Sequence, residues 1–112
     1  MGIGGNTIAE LQVNTGSTKN EIGERITQWS TADHITGWLD LSGGDAKYNS
    51  YNAKIQESTH VFIADWKEID VSVTAENSRM LIHNRVYDVM LIDNPMELNQ
   101  QLEIYLKYTG GQ

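Results

Sequence analysis

Apolar and polar residues alternate along most of this chain with the two-residue period of half-buried strands. The clearest block is the last one, from Ser78 to Tyr108, where three β-rich runs are separated by two short polar breaks. In the final run Leu102, Ile104, Leu106 and Tyr108 alternate with Glu103, Tyr105 and Lys107, which predicts a strand with one buried face. In the middle run Tyr87, Val89 and Leu91 share one side, and Val86, Asp88, Met90 and Ile92 share the other. Both sets are largely apolar, as in a strand covered on both faces. The first break is His83-Asn84-Arg85, where Asn tolerates a left-handed backbone and a tight hairpin is expected. The second is Asp93-Asn94-Pro95, in which the chain's single proline pushes the preceding residue towards an extended conformation. These features predict a three-stranded antiparallel meander.

The earlier part of the chain reads less evenly. Residues 1–6 are Gly-rich and are expected to form a flexible arm. Thr7–Thr15 alternates, with Ala9, Leu11 and Val13 on one face, and predicts a strand. Gly16–Asn20 reads as a loop, Glu21–Trp29 as a second strand and Ser30–Asp33 as a turn. His34–Leu41 predicts a third strand, with Ile35, Gly37, Leu39 and Leu41 opposite His34, Thr36, Trp38 and Asp40. Alternation then stops through Ser42-Gly43-Gly44-Asp45-Ala46-Lys47-Tyr48-Asn49-Ser50-Tyr51-Asn52-Ala53-Lys54-Ile55-Gln56-Glu57 and Ser58. A short helix over Ala46–Lys54 is weakly encoded, because Asn and Ser are poor helix formers. So long a loop in a small domain is usually functional or disordered. Thr59–Ala64 resumes strand character. Asp65–Asn77 is polar with apolar points at Trp66, Ile69, Val71 and Val73. The pattern predicts an all-β fold, a small β-barrel or sandwich of about six to seven short strands with a long loop inserted after the third.

The length of 112 residues fits a single domain, residues 1–112, with one modest core. No cysteine is present, so neither a disulfide framework nor a thiolate metal site is available. No apolar run approaches the ~20 residues that cross a bilayer, and the N-terminus has neither a basic nor an apolar targeting region. A soluble, intracellular chain is expected. The net charge of −7 opposes non-specific binding to nucleic acid, which requires clustered cations.

Candidate chemistry is sparse. His34, His60 and His83 have no metal-ligand spacing. Asp65, Glu68 and Asp70 lack the spaced ligands and central glycine of a calcium loop. Asp88 and Asp93 flank apolar strand residues, and no third group completes an acid–base site. Neither a nucleophile elbow nor a phosphate loop occurs. The expectation is a non-enzyme with no cofactor and no metal. The aromatic residues Trp29, Trp38, Trp66 and Phe62 and several tyrosines suit core packing, expected above all for Trp38 or its neighbours. The alternative is a small β-barrel binding module for single-stranded nucleic acid or another protein, with bases stacked on exposed rings.

Four stretches carry a family resemblance. They are Gly37-Trp38-Leu39-Asp40-Leu41 with the polar segment after it; Ser58-Thr59-His60-Val61-Phe62-Ile63-Ala64-Asp65; Asn77-Ser78-Arg79; and Val86-Tyr87-Asp88-Val89 with Ile92-Asp93-Asn94-Pro95-Met96 and Leu102–Tyr108. Over residues 7–109 the chain resembles the head-closure proteins of long-tailed phages, the stoppers of the head-to-tail connector. His83-Asn84-Arg85 departs from the pattern, since a glycine is expected in that turn. The resemblance implies a non-enzymatic β-barrel that forms a ring below the portal and adaptor rings in the virion neck, assembled in the host cytoplasm. The implied partners are the head-to-tail adaptor protein, a tail-completion or tail-terminator protein, further copies of the chain and packaged DNA held without sequence-specific binding; no membrane is involved. The resemblance also implies that Ser42–Glu57 projects into the channel and closes it.

Overall fold

The computed structural model describes residues 5–41 and 58–108. Six strands form one closed antiparallel barrel: β1 (Thr7–Lys19), β2 (Arg25–Leu41), β3 (His60–Asp65), β4 (Ser78–Ile82), β5 (Arg85–Asp93) and β6 (Gln101–Tyr108). Their order around the wall is β1-β2-β3-β6-β5-β4, and pairing of β1 with β4 closes it. Closure gives most ladder groups of the wall partners on both sides, although Ser30–Thr36 of β2 pair with β1 alone.

The core is filled from alternate positions of every strand. Ala9, Leu11, Ile35, Phe62, Ala64, Met80, Ile82, Tyr87, Val89, Ile104 and Leu106 form one buried cluster. Phe62 is its largest fully buried side chain. Gly37 pairs with Ala64 beside the Phe62 ring. A Cβ on Gly37 would run into the Ile63 carbonyl oxygen and come within 2.9 Å of the Phe62 ring. Two small residues side by side therefore make room for the one large ring.

Three irregularities explain where the strand pattern and the structure differ. The first two strands are long and fuse segments that the sequence separates. Register shifts in the β1–β2 ladder fall between Leu11 and Gln12 and between Asn14 and Gly16. They leave Ala32 on β2 and Thr15 on β1 as the extra residues of β-bulges. A bulge adds one residue and so reverses the parity of the alternation. For this reason Ser30–Asp33 reads as a turn, although it lies inside β2, and Gly16–Lys19 reads as a loop, although it is strand. The true reversal is Asn20–Glu24, at the start of the expected second strand. The third shift, between Val89 and Leu91, makes Met90 the extra residue of β5. Beyond it Ile92 pairs with Ile104 and packs against the core, while Leu91 pairs with Tyr105 on the outside. The faces expected for Leu91 and Ile92 are thus exchanged.

Trp38 is also corrected. It lies on the outer face opposite Ile63 and is 44 % exposed, while Phe62 takes the core position. Asn6 donates its backbone N–H to the Gly37 carbonyl (3.1 Å), so this end of the expected flexible arm is tied to the wall. The β4–β5 turn has two residues, His83 and Asn84, both at positive φ (51° and 64°), with Ile82 and Arg85 paired around them. That is the tight hairpin geometry expected, reached without glycine. No helix among the described residues is long and apolar enough to cross a membrane.

Candidate functional site

The two ends of the barrel carry different structures. At one end β1 and β2 continue past the wall. The last β1–β4 pair is Val13 with Ser78, and the first β2–β3 pair is Gly37 with Ala64. Asn14–Lys19 and Arg25–Trp29 therefore pair only with each other, as a two-stranded ribbon, and all but Trp29 are exposed. The molecule measures 50 × 29 × 25 Å, and the ribbon accounts for the long dimension.

Local hydrogen bonds shape the ribbon. At its tip Asn20 Oδ1 accepts from the backbone N–H groups of Ile22 (3.1 Å) and Glu24 (2.9 Å). Gly23 turns the chain at φ 85°, a left-handed conformation that costs glycine little. At its root Arg79 lies 4.3 Å over the Trp29 ring and donates to Gln12 Oε1 (2.7 Å). Gln12 and Thr31 both donate to the Glu10 carboxylate. These contacts link β1, β2 and β4 where the ribbon leaves the wall.

The β3–β4 connection, residues 66–77, crosses the same end of the barrel. It must pass β6 and β5 to reach β4, and it turns Ile69, Val73 and Ala75 against the core. Lys67 pins it to β2 through an ion pair with Asp33 (2.7 Å) and a hydrogen bond to the His34 carbonyl (3.2 Å). Asp70 Oδ1 accepts from the Ser72 N–H (2.9 Å) and hydroxyl (2.8 Å). Between this connection and the β5–β6 link lies a cleft of about 670 Å³. Its wall includes Ile69, Val71, Val73, Leu91 and Leu102, with Glu68 and Asp70 also lining it.

Two carboxylates here titrate low. Hydrogen bonds from Thr31 and then Gln12 lower Glu10 below the ordinary carboxylate value. The Ser72 N–H and hydroxyl do the same for Asp70. A carboxylate depressed in the folded state stabilises the fold above its unfolded value, and that contribution is lost as pH falls through its folded value. Urea midpoints are therefore expected to be flat from neutral pH to about pH 5 and to decline below about pH 4. Glu10→Gln should flatten the decline.

At the opposite end, β2 and β3 meet at Leu41 and His60. The expected channel-closing residues Ser42–Glu57, and the helix expected over Ala46–Lys54, lie outside the described residues. Their flanks are well held. Ser58 is buried. Thr59 donates its N–H to the Leu106 carbonyl (2.8 Å), and its hydroxyl oxygen accepts from the Tyr108 N–H (2.8 Å). His60 meets Tyr87 edge-on at 5.2 Å, and Tyr87 in turn contacts Tyr108.

The remaining sequence candidates are dispersed. His34 is exposed on β2, His60 belongs to the ring cluster and His83 forms the turn. No group of His, Asp and Glu able to hold a metal occurs among the described residues. Asp88 stands opposite both Arg79 and Lys107, and Asp93 opposite Glu103, so the two aspartates have separate surroundings. Nor do the aromatics form one platform: Phe62 and Tyr87 are inside, Trp29 lies under Arg79, and Trp38 stands on the outer wall. Sequence reasoning missed the ribbon and the cleft. The available signal for the ribbon was its Thr and Ile content around Asn20–Glu24, a turn-forming stretch with glycine.

No protein-family model matches the chain, and no curated protein matches it. The fold is similar to the solution structure of protein SF1141 from Shigella flexneri 2a, with a TM-score of 0.60 and 15 % sequence identity over 98 % of this chain and 97 % of that one. At that identity the likeness establishes a shared fold and nothing about activity.

Proposed function

We propose that this chain is a structural subunit of a phage neck, a stopper that forms a ring below the portal and adaptor, closes the DNA channel after packaging and offers a surface to the tail. The reading rests on the resemblance over residues 7–109. The observation that supports it is the placement of Leu41 and Ser58 at one end of the closed barrel. The wall ends there at Leu41 on β2 and resumes after Ser58 on β3. A chain of net charge −7 adheres poorly to phosphate, which suits a wall past which DNA must slide. In this reading the protein is not an enzyme, and its partners are the adaptor, a tail-completion or tail-terminator protein and its own copies.

Deletion of Gly44–Gln56 in the phage or prophage that carries the gene tests the reading. The expected result is heads that package DNA but lose it to DNase, beside unattached tails in electron micrographs. Tailed, infectious particles with protected DNA would overturn the channel-closing role. If oligonucleotides then bound at micromolar concentration and were released steeply by salt, the single-strand binding module would take its place.

A further inference from the structure

Three large apolar side chains stand in water around the cleft between the β3–β4 connection and the β5–β6 link. Val71 is 92 % exposed, Met96 86 % and Leu98 55 %. Val71 lines the cleft from the connection. Met96 and Leu98 belong to the link, whose Asn94 and Asn99 line the other side. The link is held in an unfavourable shape. Met96, Glu97 and Asn99 have positive φ (55°, 55° and 56°), a conformation that asparagine tolerates and that longer side chains avoid. Two asparagines clamp it there. The Asn94 amide donates to Asn99 Oδ1 (2.7 Å), and the Asn99 N–H donates to Asn94 Oδ1 (3.0 Å). Backbone held against its preference, with apolar side chains left exposed, fits a contact surface.

The charge around the cleft selects the partner. Glu68, Asp70 and Glu76 line it, and Glu97 sits on the link. Lys67 is the one base among the lining residues, and Asp33 already engages its ammonium. Nucleic acid is therefore opposed. A second copy is opposed as well, because each basic residue of this chain is matched by an acid or set against a ring. Arg79 lies over Trp29, Arg85 lies 5.9 Å from the centre of the Tyr108 ring, and Lys107 stands opposite Asp88. Glu21 and Glu24 offset Lys19 and Arg25 at the ribbon tip. Within residues 42–57, Asp45 and Glu57 offset Lys47 and Lys54.

We propose that this cleft receives a segment of a different protein in which a large apolar side chain is flanked by Lys or Arg. The apolar side chain fills the floor formed by Ile69, Val73, Leu91 and Leu102, and the flanking cations face Glu68 and Asp70. Val71, Met96 and Leu98 extend the contact beyond the cleft, and the unbranched, polarisable Met96 adapts to the partner's shape. The proposal goes beyond the stopper reading and does not rest on it.

The test begins with selection from a random linear peptide display library on the purified full-length protein at low salt. The most enriched peptide is synthesised with a fluorescein label and titrated by anisotropy. Enriched peptides are expected to place Leu, Ile, Met, Phe or Trp beside Lys or Arg. Val71→Ser with Leu98→Ser, and separately Glu68→Lys with Asp70→Lys, should each weaken binding by about tenfold or more. Glu21→Lys with Glu24→Lys makes the same change of net charge at the ribbon tip and should weaken it far less. A peptide whose Lys and Arg are replaced by Glu should prefer the Glu68→Lys, Asp70→Lys protein. All the substituted positions are exposed, and unchanged circular dichroism verifies that each variant is folded. No enrichment, enriched peptides without that pattern, or equal weakening by the cleft and tip variants would overturn the proposal. So would a dimer in analytical ultracentrifugation that Val71→Ser with Leu98→Ser dissociates, since the cleft would then belong to a second copy. Normal virions from the loop deletion would leave it standing.

Discussion

Phe62→Ala is expected to cost the fold about 3–5 kcal/mol, the range for deleting a fully buried aromatic ring. Phe62 is wholly inaccessible and is the largest fully buried side chain. Its neighbours across the ladder, Leu39 on β2 and Ile104 on β6, belong to a closed wall and cannot move in to fill the space. The cavity therefore persists, and its cost adds to the lost transfer energy. Small domains hold only about 5–15 kcal/mol in total. The variant should unfold at much lower urea concentration with an unchanged slope, which equilibrium denaturation followed by circular dichroism would measure. A loss below about 1 kcal/mol would show that the barrel collapses around the hole.

Gly37→Ala is expected to destabilise by about 1–3 kcal/mol, the usual cost of overfilling a packed site. This is the smallest side-chain addition available, and it meets an obstacle that cannot swing away. The nearest atom to the added Cβ is the Ile63 backbone carbonyl oxygen, and the Phe62 ring is next at 2.9 Å. Shortening the ring as Phe62→Leu relieves only the second contact. The double variant should therefore recover part of the loss and no more, a coupling that a double-mutant cycle reads directly. Full recovery would mean that the ring alone demands the glycine.

These two residues also show what the sequence disclosed. The closing meander was legible because Leu102, Ile104 and Leu106 keep strict alternation and both breaks contain turn-forming residues. The inward placement of Ala9, Leu11 and Ile35 was legible for the same reason. What was hidden lies where parity fails or has no meaning. Ala32, Thr15 and Met90 each shift the pattern by one residue, so a single strand looked like two and Leu91 and Ile92 exchanged faces. The ribbon has water on both sides, so its residues carry no apolar-in, polar-out signal. The cleft depends on Trp66–Asn77 crossing over β6 and β5, a topological fact that periodicity does not contain. Trp38 was misplaced because size alone favoured it for the core, whereas its parity with His34 and Thr36 already put it outside.

A closed barrel is safe from edge-to-edge stacking, and the ribbon gives up that safety. Its outer N–H and C=O groups form two free edges, the usual starting point of fibres. In-register growth along them would place each Lys19 about 4.8 Å from the next and each Arg25 likewise, a ladder of like charges. The cations at the tip thus act as gatekeepers. Removing them would expose the free edges to stacking with less local repulsion to oppose it.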